Sequence, residues 1–173
     1  MIERLKKSLR TVPDFPKPGV LFYDITTMLK DPESLTLAID ALYETYKDKG
    51  ITKVVGIESR GFILGAALAV KLGVGFIPIR KAGKLPLAVY SERYNLEYGS
   101  AVMEIHQDAI SPDDVVLIHD DLLATGGTML AARHLVSKFN PKKIYLNCII
   151  ELKEFDGRSR FPDDYNLLTL LPF

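Results

Sequence analysis

Val115-Val116-Leu117-Ile118-His119-Asp120-Asp121-Leu122-Leu123-Ala124-Thr125-Gly126-Gly127-Thr128 decides how this chain is read. Val115–Ile118 is a continuous apolar run, the pattern of a strand buried on both faces of a parallel sheet. It runs into two adjacent carboxylates, Asp120 and Asp121, and a short loop then opens a helix through Thr125-Gly126-Gly127-Thr128. The helix is expected over Thr128–Phe139, with Met129, Ala132, Leu135, Val136 and Phe139 on its inner face.

The loop has a chemistry. Free backbone N–H groups at a helix N-terminus attract anions, and the helix dipole adds to the effect. Glycine lets the backbone approach a phosphate closely, and threonine hydroxyls add donors. Thr125–Thr128 is therefore expected to grip a phosphate. Two carboxylates beside a phosphate would repel it unless they face something else. A ribose presents two hydroxyl donors, and carboxylates also stabilise positive charge developing at an anomeric carbon. The spacing suggests a ribose 5-phosphate, with phosphate in the glycine turn and diol on the acids. The plainer alternative is a capped turn with exposed acids. The coincidence of buried strand, paired acids, glycine turn and amphipathic helix argues against it. Other phosphate motifs fail: Gly83-Lys84 is followed by Leu85, and Gly73-Val74-Gly75 has no third glycine and follows a helix.

Outward from this segment, apolar strands alternate with helices. Lys53–Glu58, Val74–Ile79, Ile144–Ile150 and Tyr165–Leu171 read as further strands. Gly61–Leu72 is a helix apolar almost all round, with small residues that allow close packing on a sheet. Asp31-Pro32-Glu33 starts a helix that runs toward Gly50, and Ile2–Leu9 forms a short amphipathic one. Three prolines and a glycine in Val12–Gly19 argue against regular structure there. Lys81–Pro112 is too long for a plain connection and reads as a mobile, hairpin-like excursion. The fold class is α/β: a mostly parallel twisted sheet with helices on both faces.

The chain has 173 residues, enough for one domain spanning 1–173. Lys plus Arg and Asp plus Glu both total 22, so there is no basic excess of the kind a dedicated nucleic-acid binder carries. Cys148, the single cysteine, excludes an internal disulfide and is expected to be a buried small hydrophobe. Met1–Arg10 is no signal peptide, and no apolar stretch reaches the roughly 20 residues of a membrane span, so the expected compartment is the cytoplasm, with no membrane partner.

At this point the residues resemble a known family. Val115–Thr128 is similar to the phosphoribosyl pyrophosphate signature of type I phosphoribosyltransferases. Pro13-Asp14-Phe15-Pro16 with Gly19-Val20-Leu21-Phe22, Gly56–Phe62, Arg80–Pro86 and Leu96-Glu97-Tyr98-Gly99 resemble the adenine branch, in order and over nearly the whole chain. The resemblance implies a type I phosphoribosyltransferase fold with an N-terminal hood (about 1–30) and a flexible catalytic loop (about 83–105). It implies transfer of a phosphoribosyl group from phosphoribosyl pyrophosphate to adenine, giving AMP and pyrophosphate, with Mg²⁺ held mainly by substrate and water. It also implies a homodimer.

Residue roles follow from the resemblance. Asp120 and Asp121 would lie under the ribose, and Ala124, Thr125, Gly126, Gly127 and Thr128 would hold the 5-phosphate. Glu58-Ser59-Arg60 would form the pyrophosphate loop, which in this family often contains a non-proline cis peptide. Elementary electrostatics agrees, since Arg60 sits just past a strand's C-terminal edge and, with Lys81 and Lys84, could meet the departing charge. Glu97 resembles the acid proposed to protonate N7 of adenine as N9 attacks, and Tyr98 would help close the lid. Leu21, Phe22 and Tyr23 would receive the base, Phe22 by stacking; the plainer alternative is that Leu21 and Phe22 anchor the arm on the core. Tyr23 departs from the basic residue common there, and His119 from the usual aliphatic one. His119 is expected to support the site rather than react.

Two rival readings remain at this level, beside a structural homologue that has lost activity, which the intact Asp120-Asp121 pair and lid disfavour. One is a phosphoribosyltransferase for xanthine, hypoxanthine–guanine or orotate, which the hood and the Leu96–Gly99 stretch disfavour. The other is a ligand-sensing regulator on the same fold, which would need a basic DNA-binding domain absent from these 173 residues.

Overall fold

Pro13 can close a strand because its missing N–H faces no ladder partner at a ribbon's end. In a computed structural model, which describes residues 1–95 and 99–173, the chain divides into units Met1–Thr45 and Tyr46–Phe173. The first begins with α1 (Ile2–Ser8) and a two-stranded antiparallel ribbon, β1 (Arg10–Pro13) and β2 (Leu21–Asp24). Val12 and Pro13 thus belong to a strand, correcting the expectation of irregular chain from Val12 onward. They pair with Phe22 and Leu21. The turn between them is held by Asp14, whose carboxylate accepts the Gly19 N–H at 2.7 Å, and by an edge-to-face pair of Phe15 and Phe22 rings 5.2 Å apart. The Phe15–Pro16 bond is cis.

A short α2 (Thr26–Lys30) was not evident from periodicity; Asp24 opens it by accepting the Thr26 N–H at 2.9 Å. Asp31 caps α3 (Pro32–Tyr46) as expected, accepting the Ser34 N–H at 3.0 Å. The helix ends at Tyr46, four residues before Gly50.

The second unit contains β3 (Lys53–Ile57), α4 (Gly61–Leu72), β4 (Gly75–Lys81), β5 (Val89–Asn95), β6 (Ser100–His106), β7 (Val115–Leu123), α5 (Gly127–Ser137), β8 (Lys143–Glu151) and β9 (Leu167–Pro172). Three 3-10 turns, Lys153–Phe155, Gly157–Arg160 and Asp163–Tyr165, lie between β8 and β9. The strands form one sheet in the order β5-β6-β4-β3-β7-β8-β9. From β4 to β9 the pairing is parallel, while β6 joins β4 and β5 antiparallel. The expected excursion is therefore a hairpin that extends the main sheet.

Strand alternation sorts the two faces. Val55, Ile57, Val116, Ile118 and Cys148 share a core with Met129, Ala132, Leu135 and Val136 of α5. Gly56 and His119 face α4: a Cβ on Gly56 would stand 2.6 Å from the Phe76 ring of β4 and 3.0 Å from the Gly61 carbonyl oxygen at the start of α4, so a side chain there would crowd both. Each large side chain buried here contributes roughly 1.5–3 kcal/mol. Cys148 is free and buried, and burial pushes its thiol pKa up, as suits a small hydrophobe.

One boundary differs in a way that matters. β7 runs on to Leu123, so Asp120 and Asp121 sit within a strand rather than in the loop after it. Continued pairing with β8, Asp120 opposite Cys148 and Leu123 opposite Glu151, holds them there. Among the described residues no helix is long and apolar enough to cross a membrane.

Candidate active site

β7 delivers Asp120 and Asp121 at its C-terminal part, and the chain then turns through Ala124–Gly126 into α5. Gly126 takes a left-handed φ of 78°, which favours glycine, and its carbonyl accepts the Leu130 N–H at 3.0 Å. A cavity of about 190 Å³ is lined by Arg60, Asp120, Asp121 and residues 122–129. The structure thus brings the expected sugar-phosphate residues to one hollow, at the strand ends where open α/β sheets bind ligands.

Both acids are buried, at 9% and 6% exposure. Asp120 Oδ1 accepts the Asp121 N–H at 2.9 Å, and Asp121 Oδ2 lies 2.6 Å from Arg60 Nε. Burial, then the neighbouring Asp121 charge, pushes the Asp120 carboxyl well above the usual range. Burial raises Asp121 also, but Arg60 opposes that rise. Asp121 is therefore the member of the pair that carries negative charge more readily.

Glu58-Ser59-Arg60 links β3 to α4, and the Glu58–Ser59 peptide is cis. Glu58 turns its carboxylate toward Arg80, with both contacts at 3.2 Å, and accepts the Lys81 N–H at 2.9 Å. These bonds hold its pKa below the usual range. Its charge is satisfied by β4, so its side chain suits fixing the loop better than touching an anion. Lys81 ends β4 and Lys84 follows in the next turn, both exposed.

The hairpin reaches the same region. Asn95 O would be 3.3 Å from a Cβ on Gly127, and a neighbouring cavity of about 390 Å³ is shared by Tyr94, Thr125, Gly127 and Arg160. Glu92 meets Lys138 of the segment following α5 at 3.0 Å, and Tyr90 packs edge-to-face on Phe139. Glu97 and Tyr98, the acid and lid residues that the resemblance implies, lie outside the described residues. Leu21, Phe22 and Tyr23 lie on β2 of the first unit, Leu21 exposed and the other two half-buried.

His119 is fully buried, with Nδ1 2.7 Å from Asn147 Oδ1, and burial lowers its pKa to about 4. Burial therefore favours the neutral imidazole. Sequence reading missed Gly157 and Phe161, which back directly onto the glycine turn. No periodicity marks this irregular stretch, and nothing local in the sequence signals the contact that Gly157 makes. Among the described residues no group of three or more His, Cys, Asp or Glu could hold a metal ion.

A mostly parallel sheet that sets paired acids beside a glycine turn at the start of a helix is the arrangement expected of an enzyme that handles a phosphorylated pentose. Residues 25–171 match the family model of the phosphoribosyl transferase domain. An adenine phosphoribosyltransferase of Bacteroides fragilis is 62% identical over 165 residues, covering 95% of this chain and 93% of that protein. The crystal structure of the adenine phosphoribosyltransferase of Rhodothermus marinus superposes with a TM-score of 0.92 at 52% identity, covering 99% and 98% of the two chains. That of Giardia lamblia, complexed with 9-deazaadenine, gives 0.94 at 41% identity, covering 99% and 97%. The chain belongs to the phosphoribosyl transferase domain family, and within it to the adenine phosphoribosyltransferases.

Proposed function

We propose that this chain transfers the 5-phosphoribosyl group of phosphoribosyl pyrophosphate to N9 of adenine, forming AMP and releasing pyrophosphate. The observation that carries the reading is the 190 Å³ hollow in which Asp120, Asp121 and Arg60 converge on the Ala124–Thr128 turn. The adenine analogue bound by the Giardia lamblia relative supports the choice of base.

In this reading the amides and hydroxyls of Ala124, Thr125, Gly126, Gly127 and Thr128 take the 5-phosphate. Asp120 and Asp121 accept the ribose hydroxyls. The bond from C1′ to pyrophosphate breaks with its electron pair on the departing oxygen, the N9 lone pair forms the new bond, and the N9 proton leaves to the pyrophosphate oxygens or water. Negative charge on Asp121 stabilises the cationic sugar between those events. Arg60, Lys81 and Lys84 face the leaving charge, while Glu58 and Ser59 keep the loop beneath it in place. Mg²⁺, when bound, supplies further neutralisation of the pyrophosphate oxygens. Substrate oxygens and water would hold that cation, with Asp120 and Asp121 lining the same hollow.

Glu97 gives a proton to N7 as N9 attacks and takes it back once the N9 proton has left, and Tyr98 helps exclude water; Leu21, Phe22 and Tyr23 receive the base. These three assignments and a homodimer rest on the family resemblance; a cytoplasmic location rests on the residue pattern and the reading of the whole chain as one functional domain on its length. The test is a pyrophosphate-release assay with Mg²⁺, phosphoribosyl pyrophosphate and, in turn, adenine, guanine, hypoxanthine, xanthine and orotate. Turnover with adenine alone is expected. Turnover confined to another base would overturn the assignment.

A further inference from the structure

The turn from Ala124 to Gly126 has a second piece of backbone behind it. Its back is pressed against the 3-10 turn Gly157–Arg160. A Cβ built on Gly157 would lie 1.9 Å from the Ala124 carbonyl oxygen and 2.8 Å from the Gly126 nitrogen. From the other side, a Cβ on Gly126 would lie 2.8 Å from the Gly157 oxygen and 2.9 Å from Phe161 Cε2. Two backbones therefore meet with no side chain between them. Phe161 is buried and belongs to the core under α5, so this wall is anchored in the sheet's main core.

Arg158, next to Gly157, fixes the wall from behind. Its Nε and Nη2 donate to the two oxygens of Glu151 at 2.8 and 2.7 Å, and Nη2 also reaches Thr169 Oγ1 at 2.7 Å. Nη1 reaches the Leu167 carbonyl at 3.3 Å. Glu151 is buried at the end of β8, and Thr169 lies in β9. The fork converts two strand ends into a mount for the residue that touches the turn. The chain's direct link, Leu152 N–H to the Leu123 carbonyl at 2.9 Å, closes the same bracket.

We propose that Gly157 is a positioning residue for the 5-phosphate: its backbone, mounted by Arg158 on Glu151 and Thr169, sets the spacing of the Ala124–Gly126 turn. This rests on the reading of that turn as the phosphate site. A methyl at residue 157 must displace either the wall or the turn, because the atoms it meets are backbone and cannot swing away. An anion site made of convergent amides loses grip when one amide is tilted out of line.

The experiment compares parent, Gly157→Ala, Arg158→Lys and Thr128→Ala for affinity toward AMP and adenosine, with thermal melts of each. The ratio of the two affinities isolates the phosphate, which loss of general stability leaves unchanged. Gly157→Ala is expected to weaken AMP about tenfold, roughly the worth of one charge-assisted hydrogen bond, with adenosine unaltered. Arg158→Lys, which keeps the charge and loses the fork, is expected to weaken AMP about threefold and serves if the alanine variant does not fold. An unchanged AMP-to-adenosine ratio in the folded variants, with Thr128→Ala lowering it, would overturn the proposal and leave the phosphate reading standing. If Thr128→Ala also leaves the ratio unchanged, the phosphate reading fails and the proposal with it.

Discussion

Arg60 Nε stands 2.6 Å from Asp121 Oδ2, joining the N-terminal end of α4 to the acid on β7. One contact thus couples the loop assigned to pyrophosphate with the carboxylate assigned to ribose. The guanidinium is 39% exposed while the carboxylate is 8% exposed, so the pair has one buried and one open partner. That asymmetry suits a site in which the acid must stay charged and the cation must remain available to a ligand.

Asp121→Asn should lower turnover by about 10²–10³-fold, the range seen when one preorganised charge or donor is removed from a transition state. The fold should survive, because Asn fills the same volume and Arg60 can be hydrated where it is exposed. Steady-state pyrophosphate release and a thermal melt check both halves. Near-parental turnover would remove the case for Asp121 as the charge under the sugar.

Glu58→Gln tests the loop from its far end. Losing the fork to Arg80 should loosen the Glu58–Arg60 segment, since a neutral amide cannot pair both guanidinium contacts at 3.2 Å. The KM for phosphoribosyl pyrophosphate should rise about threefold to tenfold while that for adenine holds. The stability cost should stay under about 1 kcal/mol, as for other partly exposed pairs. An adenine KM that moved in step would show that the loop does not act on pyrophosphate alone.

Legibility in the sequence followed periodicity and local chemistry. The strand at Val115, the helix cap at Asp31 and the helix Gly61–Leu72 were readable because each is a local signal, apolar repetition or a capping side chain. So was the hollow, since a single contiguous stretch supplies Asp120 to Thr128. What could not be read is long-range. β7 extends through both acids because β8 lies beside it, and pairing of that kind leaves no mark within residues 119–123. Pro13 enters a strand because β2 lies opposite. Gly157 matters through backbone atoms 33 and 31 positions earlier, at Ala124 and Gly126, and no window of sequence contains that contact.

Asp120→Asn should make the protein more stable near neutral pH. Burial and the adjacent Asp121 raise its folded pKa above the ordinary 3.8. Between those two values the native state holds a proton that the unfolded chain has released, so stability falls as pH climbs through the window. Asparagine removes that dependence while its amide oxygen can still accept the Asp121 N–H. The melting temperature of the variant should exceed the parent's by a few degrees at about pH 8, and by less at about pH 4.5. The same variant should turn over more slowly, because the acid is placed for the ribose and its burial works against the fold. Equal melting temperatures at both pH values would place the strain of the paired acids elsewhere.

His119 should make the fold acid-sensitive in the opposite sense. Its folded pKa, about 4, is depressed from 6.5 by burial, with the Asn147 bond opposing the fall. Between pH 6.5 and about 4 the unfolded chain takes up a proton that the native state refuses. Stability is therefore lost as pH drops through that window, by an amount on the order of 3 kcal/mol across its full width. Nε2 finds no hydrogen-bond partner among the described residues, so no neighbour there is ready to receive a second ring proton. His119→Gln can keep a donor against Asn147 Oδ1 but cannot titrate. Its denaturant midpoint should be flatter than the parent's from pH 6.5 to 5, where Glu58 and Glu151 remain ionised because their pKa values are lowered. Urea titrations at half-unit pH steps would measure the two slopes; identical slopes would mean that His119 takes up its proton without cost to the fold.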